Sequence, residues 1–200
     1  MIRTIRGIRG ALLACVVVIA ASAFASGGGG GNQDSTDPTQ HFHPKGKPPS
    51  EYTLNILQAA RESLPFDDTR DFDEARRGLI APLDTYIIKA DAGGIAWNIE
   101  RYDFLTADED WPSVHPSTQR QGHLNQITGL FEVTDGIYQI RGNDLANITF
   151  VRGNTGWIVF DPNTAAETAR AGLTLINREI EELPVVAVIY SHSHGDHFGG

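Results

Sequence analysis

The stretch "VVAVIYSHSHGDHFGG", residues 185–200, decides the fold. Its first six residues are a near-continuous apolar run, suited to a strand buried on both faces of a parallel sheet. Straight after that run come His192, His194, Asp196 and His197, crowded into six positions. Open α/β sheets hold their ligands in loops at the carboxyl ends of the strands, and this cluster falls at such an end.

Side chains of an extended loop alternate with period two, so His192 and His194 point to the same side and both imidazoles can reach one metal ion. Asp196 and His197 can then serve a second ion or complete a mixed site. Nitrogen and oxygen donors without a thiolate suit zinc, with manganese or iron as lesser options. Gly195, Gly199 and Gly200 let the backbone fold closely around such ions. Chance clustering in a polar loop is the bland alternative, and the apolar strand before the cluster with glycines behind it counts against that.

Upstream, "LFEVTDGIYQIRG" and "NITFVRGNTGWIVFD" are β-branched and aromatic runs broken by Asp135-Gly136 and by "RGNTG", which predicts an antiparallel meander. Thr164 and Glu167 have the spacing of a capping box, opening a helix with Ala169, Leu173, Ile176 and Ile180 on its apolar side. The order from residue 128 is therefore strands, helix, buried strand and histidine cluster, an α/β arrangement.

Residues 51–127 have mostly helical periodicity. "YTLNILQAARESL" spaces Leu54, Leu57 and Leu64 among polar residues, and "DFDEARRGLIAPL" offers Asp71 as N-cap and stops before Pro82. "HPSTQRQGHLNQITGLF" gives another helix with Leu124 and Ile127 on one side. His115 and His123 stand alone and read as core or surface histidines. Trp97, Tyr102, Phe104 and Trp111 read as packing anchors.

The first 25 residues read as a secretory signal peptide. Arg3, Arg6 and Arg9 precede "ALLACVVVIAASA", too short to span a bilayer comfortably, and "ASAFAS" offers small residues for cleavage near Ala23 or Ala25. The single cysteine, Cys15, leaves with that segment, so the exported chain has no disulfide and no thiol nucleophile. The expected location is periplasmic or secreted, with no stable membrane span after cleavage. Residues 26–50 are Gly, Pro and polar residues, a flexible linker in which His41 and His43 are solvated. The whole chain of 200 residues carries a formal net charge of −9 and no Lys or Arg run, which argues against a nucleic-acid partner.

"HSHGDH" resembles the H-x-H-x-D-H signature of the metallo-β-lactamase superfamily. The resemblance implies that His192 and His194 bind one zinc ion, that Asp196 and His197 bind another, and that Asp161, ending "WIVFD", supports the metal loop from beneath. "FDEARRGLIAPL", "WNIERYDFL", residues 129–169 and residues 185–200 are similar to the zinc-dependent alkyl sulfatases, a likeness that runs with gaps from about residue 51 onward. Three positions depart from that family: Asn143 stands where a tyrosine is usual, His115 where an asparagine is usual, and Gly195 where a branched residue is usual. None is one of the four ligands.

The resemblance implies hydrolysis of a sulfate ester, of the linear dodecyl sulfate type, at two zinc ions. Asp196 is then the catalytic residue, both ligand and orienter of the attacking water. An apolar channel for the alkyl tail is expected. Family members run on for several hundred residues, through further ligands, a dimerisation region that makes the complete enzyme a homodimer, and a lipid-carrier-like domain. By that measure residues 128–200 form the first half of an αββα sandwich, an incomplete metallo-β-lactamase-like domain behind an N-terminal mostly helical region, 51–127. The chain reads as the N-terminal portion of such an enzyme, binding zinc weakly and inactive by itself. The alternatives are a lactonase or β-lactamase of the same fold, and an exported zinc-binding remnant without catalysis.

Overall fold

The structure is a computed structural model and describes residues 48–107 and 111–200. The signal peptide, most of the linker, and His41 and His43 lie outside the described residues.

The centre of the fold is a six-stranded sheet in the order β1-β4-β5-β6-β7-β8, built from Leu79–Ala81, Gly129–Thr134, Ile137–Arg141, Ile148–Arg152, Trp157–Phe160 and Val185–Ile189. β4 to β7 are the expected antiparallel meander, while β7 and β8 run parallel. The link between β7 and β8 is the helix α4, Ala166–Glu179, as a parallel pair requires a crossover.

Register decides which side chains face α4. Tyr138 pairs with Phe150 and Phe150 with Val159, while Leu130 pairs with Ile140 and Ile140 with Ile148, so all six lie on one face. With Trp157 and with Leu175 and Ile176 of α4 they form the buried core. Trp157 is fully buried, takes Tyr138 and Phe150 edge-on at 5.9 and 6.0 Å between ring centres, and donates its Nε1 proton to Asn177 at 2.8 Å. The indole is thus packed and satisfied together.

The N-terminal stretch is mostly helical, as expected, and carries strands that the helical spacing did not predict. It has the helices α1 (Glu51–Ser63), α2 (Arg70–Arg76) and α3 (Pro116–Asn125), and a 3-10 helix over Ile99–Thr106. It also has three strands: β1, which joins the main sheet beside β4, and the hairpin β2 (Ile87–Lys89) and β3 (Ile95–Asn98). Gly93 and Gly94, at φ 96° and 89°, turn that hairpin. "YIIK" and "IAWN" on either side are β-branched and aromatic, so turn and strand chemistry outweighed helical spacing here.

Two expected caps do not form. α2 begins at Arg70 behind Thr69, and Asp71 instead holds Arg120 of α3 through both carboxylate oxygens, at 2.6 and 2.7 Å. The Asp71 carboxyl lies below its ordinary range, first because it accepts from Arg120, which outweighs its partial burial. At α4 the Thr164 hydroxyl turns to Asp144, and Glu167 accepts the backbone N–H of Asp91, so tertiary partners replaced the local box.

β8 corrects a further expectation. All five of its residues are exposed, because β7 is its one neighbour in the sheet and it forms the edge. The apolar sequence of a strand covered on both faces is present, without that cover among the described residues.

Candidate metal centre

The parallel ends of β7 and β8 bring Asp161 and Ser191 side by side. Asp161 donates its N–H to the carbonyl of Ile189 at 3.0 Å, and its carboxylate accepts both the N–H and the hydroxyl of Ser191, each at 2.7 Å. Asp161 sits at φ 53° and Asn163 at φ 67°, left-handed conformations that Asp and Asn tolerate better than most residues. Burial pushes the Asp161 carboxyl up, and the two Ser191 bonds together with His197 more than offset it, leaving it below the ordinary carboxylate range.

The four candidate ligands follow within six residues of Asp161's partner Ser191: His192 and His194 are exposed in the loop, and Asp196 and His197 are half-buried in the short helix α5, Gly195–Phe198. His192 Nε2 stands 3.0 Å from His194 Nδ1, and His197 Nε2 stands 3.4 Å from Asp196 Oδ2. The rings of His192 and His197 meet at 4.0 Å between centres. The closest donor atoms thus lie within His192–His194 and within Asp196–His197, with the His192 ring against His197 between them, and among the described residues no three such side chains converge on one metal position.

Donor chemistry and spacing fit a metal. Two donors on one tetrahedral zinc at about 2.0–2.1 Å are roughly 3.3 Å apart, close to the separation in each pair. Proton bookkeeping points the same way. The Ser191 hydroxyl has one proton and gives it to the Asp161 carboxylate, so its 2.9 Å bond to His192 Nδ1 is donated by the ring. That leaves the lone pair of His192 on Nε2, the nitrogen a metal needs. His197 Nδ1 is buried 3.0 Å from Asp161 Oδ2 but off the line of a hydrogen bond, an orphaned polar atom within the cluster.

Glycine is required behind the loop and not within it. A Cβ on Gly199 would stand 2.0 Å from the carbonyl oxygen of Thr164, whereas one on Gly195 would meet nothing within 4 Å. The departure at Gly195 is therefore sterically neutral, against the expectation that it helps the loop close.

Other candidates lie apart from the cluster. His115 caps α3, accepting from Ser117 N–H at 3.2 Å, and His123 is in the last turn of that helix. Trp97 donates to the carbonyl of Gly142 at 2.8 Å and touches Tyr102, as an anchor does. A cleft of about 730 Å³ opens between α3, the 3-10 helix and the β5–β6 loop, lined by Trp97, Ile99, Tyr102, Leu124 and Arg141, and by none of the four candidate ligands. Sequence reasoning missed Ser191, two residues beyond β8 and next to His192. It also missed Asp144, Asn163 and Thr168, which form a buried polar cluster with Asn143.

Comparison with known proteins places the chain in a family. The model of the metallo-β-lactamase superfamily matches residues 141–200. A linear primary-alkylsulfatase from Pseudomonas sp. is 47% identical over 155 residues, covering 77% of this chain and 23% of the relative. An (R)-specific secondary-alkylsulfatase from Pseudomonas sp. is 45% identical over 154 residues, with 77% and 23% covered. The solved stereoselective inverting sec-alkylsulfatase Pisa1 from Pseudomonas sp. superposes with a TM-score of 0.68 at 45% identity, over 76% of this chain and 24% of that one. The chain belongs to the metallo-β-lactamase superfamily. Within it, the chain is a member of the alkyl sulfatase family, and it spans under a quarter of the length of the relatives it matches.

Proposed function

We propose that these residues supply the first metal ligands of a zinc-dependent hydrolase of sulfate esters, acting on linear alkyl sulfates such as dodecyl sulfate. The observation that carries the metal assignment is the pairing of donors at the carboxyl ends of β7 and β8, 3.0 Å apart in one pair and 3.4 Å in the other. His192 and His194 hold one ion, Asp196 and His197 a second. Zinc, when bound there, supplies a Lewis acid that activates water near neutral pH. Asp196 is the single carboxylate of the four and accepts a hydrogen bond from the attacking water, which fixes its direction. Ser191 keeps the His192 ring turned so that Nε2 faces His194, and Asp161 holds Ser191. The alkyl sulfatase relatives supply the substrate class.

The same proposal includes export to the periplasm or beyond by residues 1–25, and a homodimeric complete enzyme. Among the described residues, no helix is long and apolar enough to cross a membrane.

The test is sulfate release from dodecyl sulfate by the product of the whole reading frame that contains these residues, with zinc present and removed. Zinc-dependent release that Asp196→Asn abolishes is expected. Hydrolysis of a lactone or β-lactam without sulfate release would replace the reading with a sister activity, and zinc binding without any hydrolysis would leave a non-catalytic remnant.

A further inference from the structure

Behind the metal loop lies a carboxylate that the proposed chemistry does not use. Asp144, in the β5–β6 loop, is only 5% exposed. Its recorded partners are two backbone N–H groups and two hydroxyls. It accepts from Leu145 N at 2.5 Å, Thr164 N at 3.1 Å, Thr164 Oγ1 at 2.6 Å and Thr168 Oγ1. Thr168 Oγ1 also lies 2.8 Å from the Ala165 carbonyl, so its one proton is shared between two acceptors. A buried carboxylate is costly unless hydrogen-bonded, and here one bond comes from the neighbouring Leu145 while the other three come from the turn that follows β7 and from the start of α4.

That turn is the base of the metal loop. It contains Asp161 and Asn163, the two non-glycine residues with positive φ among the described residues. The fully buried Asn163 donates to the Ala146 carbonyl at 2.8 Å and accepts at its own carbonyl from Gly200 N–H at 3.0 Å. Asn143 next door donates to the Thr168 carbonyl at 3.0 Å. The β5–β6 loop thus clamps residues 161–168 from below, while Asp161 carries Ser191 and His197 above. Left-handed conformations at two non-glycine residues persist only where their surroundings over-determine them, and Asp144 provides the densest set of bonds to that turn.

We propose that Asp144 is a positioning residue for the metal loop: through Thr164 and Thr168 it fixes the turn that presents Asp161 to Ser191 and His197. This rests on the reading of His192 to His197 as metal ligands for its consequence, but the positioning itself is measurable without metal. The experiment compares the full chain with Thr168→Val, Thr168→Ser and Asp144→Asn, following backbone amide exchange without metal and then titrating each with Co²⁺.

Ser191 and Gly200 amides are expected to lose about ten- to a hundredfold protection in Asp144→Asn and Thr168→Val, with Ile140 and Phe150 unchanged and Thr168→Ser restoring the loss. Co²⁺ affinity is expected to fall about ten- to a hundredfold in the same two variants. Unchanged Ser191 and Gly200 exchange in both, or loss of protection spread evenly through β5 and β6, would overturn the proposal. Local loss of protection in a chain that takes up no Co²⁺ even as wild type would uphold the clamp and sink the metal assignment instead.

Discussion

At residue scale the site depends on which atoms can approach which. Gly199 runs against the Thr164 carbonyl so closely that a methyl group has no room, while Gly195 faces open space. Gly195→Ala, in the short helix α5, is therefore expected to be neutral or stabilising by up to about 1 kcal/mol. Gly199→Ala is expected to shift the loop and weaken metal binding. Parallel thermal melts and Co²⁺ titrations of the two variants check this, and equal behaviour would mean the close approach is not maintained. The histidine and aspartate cluster stood out in the sequence because H-x-H-x-D-H is dense and local. Ser191 and Asp144 were not, since their roles arise from contacts with Asp161 and Thr164, residues 30 and 20 positions away.

At the scale of elements, the meander was legible in its turns: Asp135-Gly136 joins β4 to β5, with Gly136 at φ 73°. The β2–β3 hairpin was hidden by a helical-looking spacing of apolar residues, although Gly93-Gly94 between two β-branched runs marked it. The capping box at Thr164 failed because a buried carboxylate competes better for a hydroxyl than a helix end does.

Core and edge strands should differ sharply. Phe150→Ala is expected to cost about 3–5 kcal/mol, since the ring is fully buried against Trp157. Val188→Thr on β8, 45% exposed, is expected to change stability by less than about 0.5 kcal/mol. Urea unfolding of both variants is the check. A large loss at Val188 would mean that β8 is covered.

The tie between α2 and α3 sets a pH dependence. The folded Asp71 carboxyl lies below its ordinary value because of Arg120. Its contribution is thus complete above the unfolded value of about 3.9 and is lost as pH falls through the lower folded value. Asp71→Asn is expected to remove that part of the acid sensitivity, seen as a flatter urea midpoint against pH below about 4. An unchanged profile would show that Asp71 and Arg120 are not paired in solution.

At the largest scale, one sheet with α4 on its inner face accounts for the buried core, and among the described residues the apolar β8 edge is uncovered. Fold class followed from the alternation of patterns along the chain. The exposure of β8 did not, because an apolar run carries no information on whether anything lies against it. The metal loop sits at that same edge, on the parallel ends of β7 and β8.

The most direct measurement is equilibrium zinc binding by the 200-residue chain and by its His192→Ala/His194→Ala double variant, with folding of both checked by circular dichroism. Zinc binding by the wild type that the double variant loses, with the fold intact, is the expected result. Equal zinc uptake by the two folded proteins, or none by either, would contradict the assignment of residues 192–197 as the metal centre.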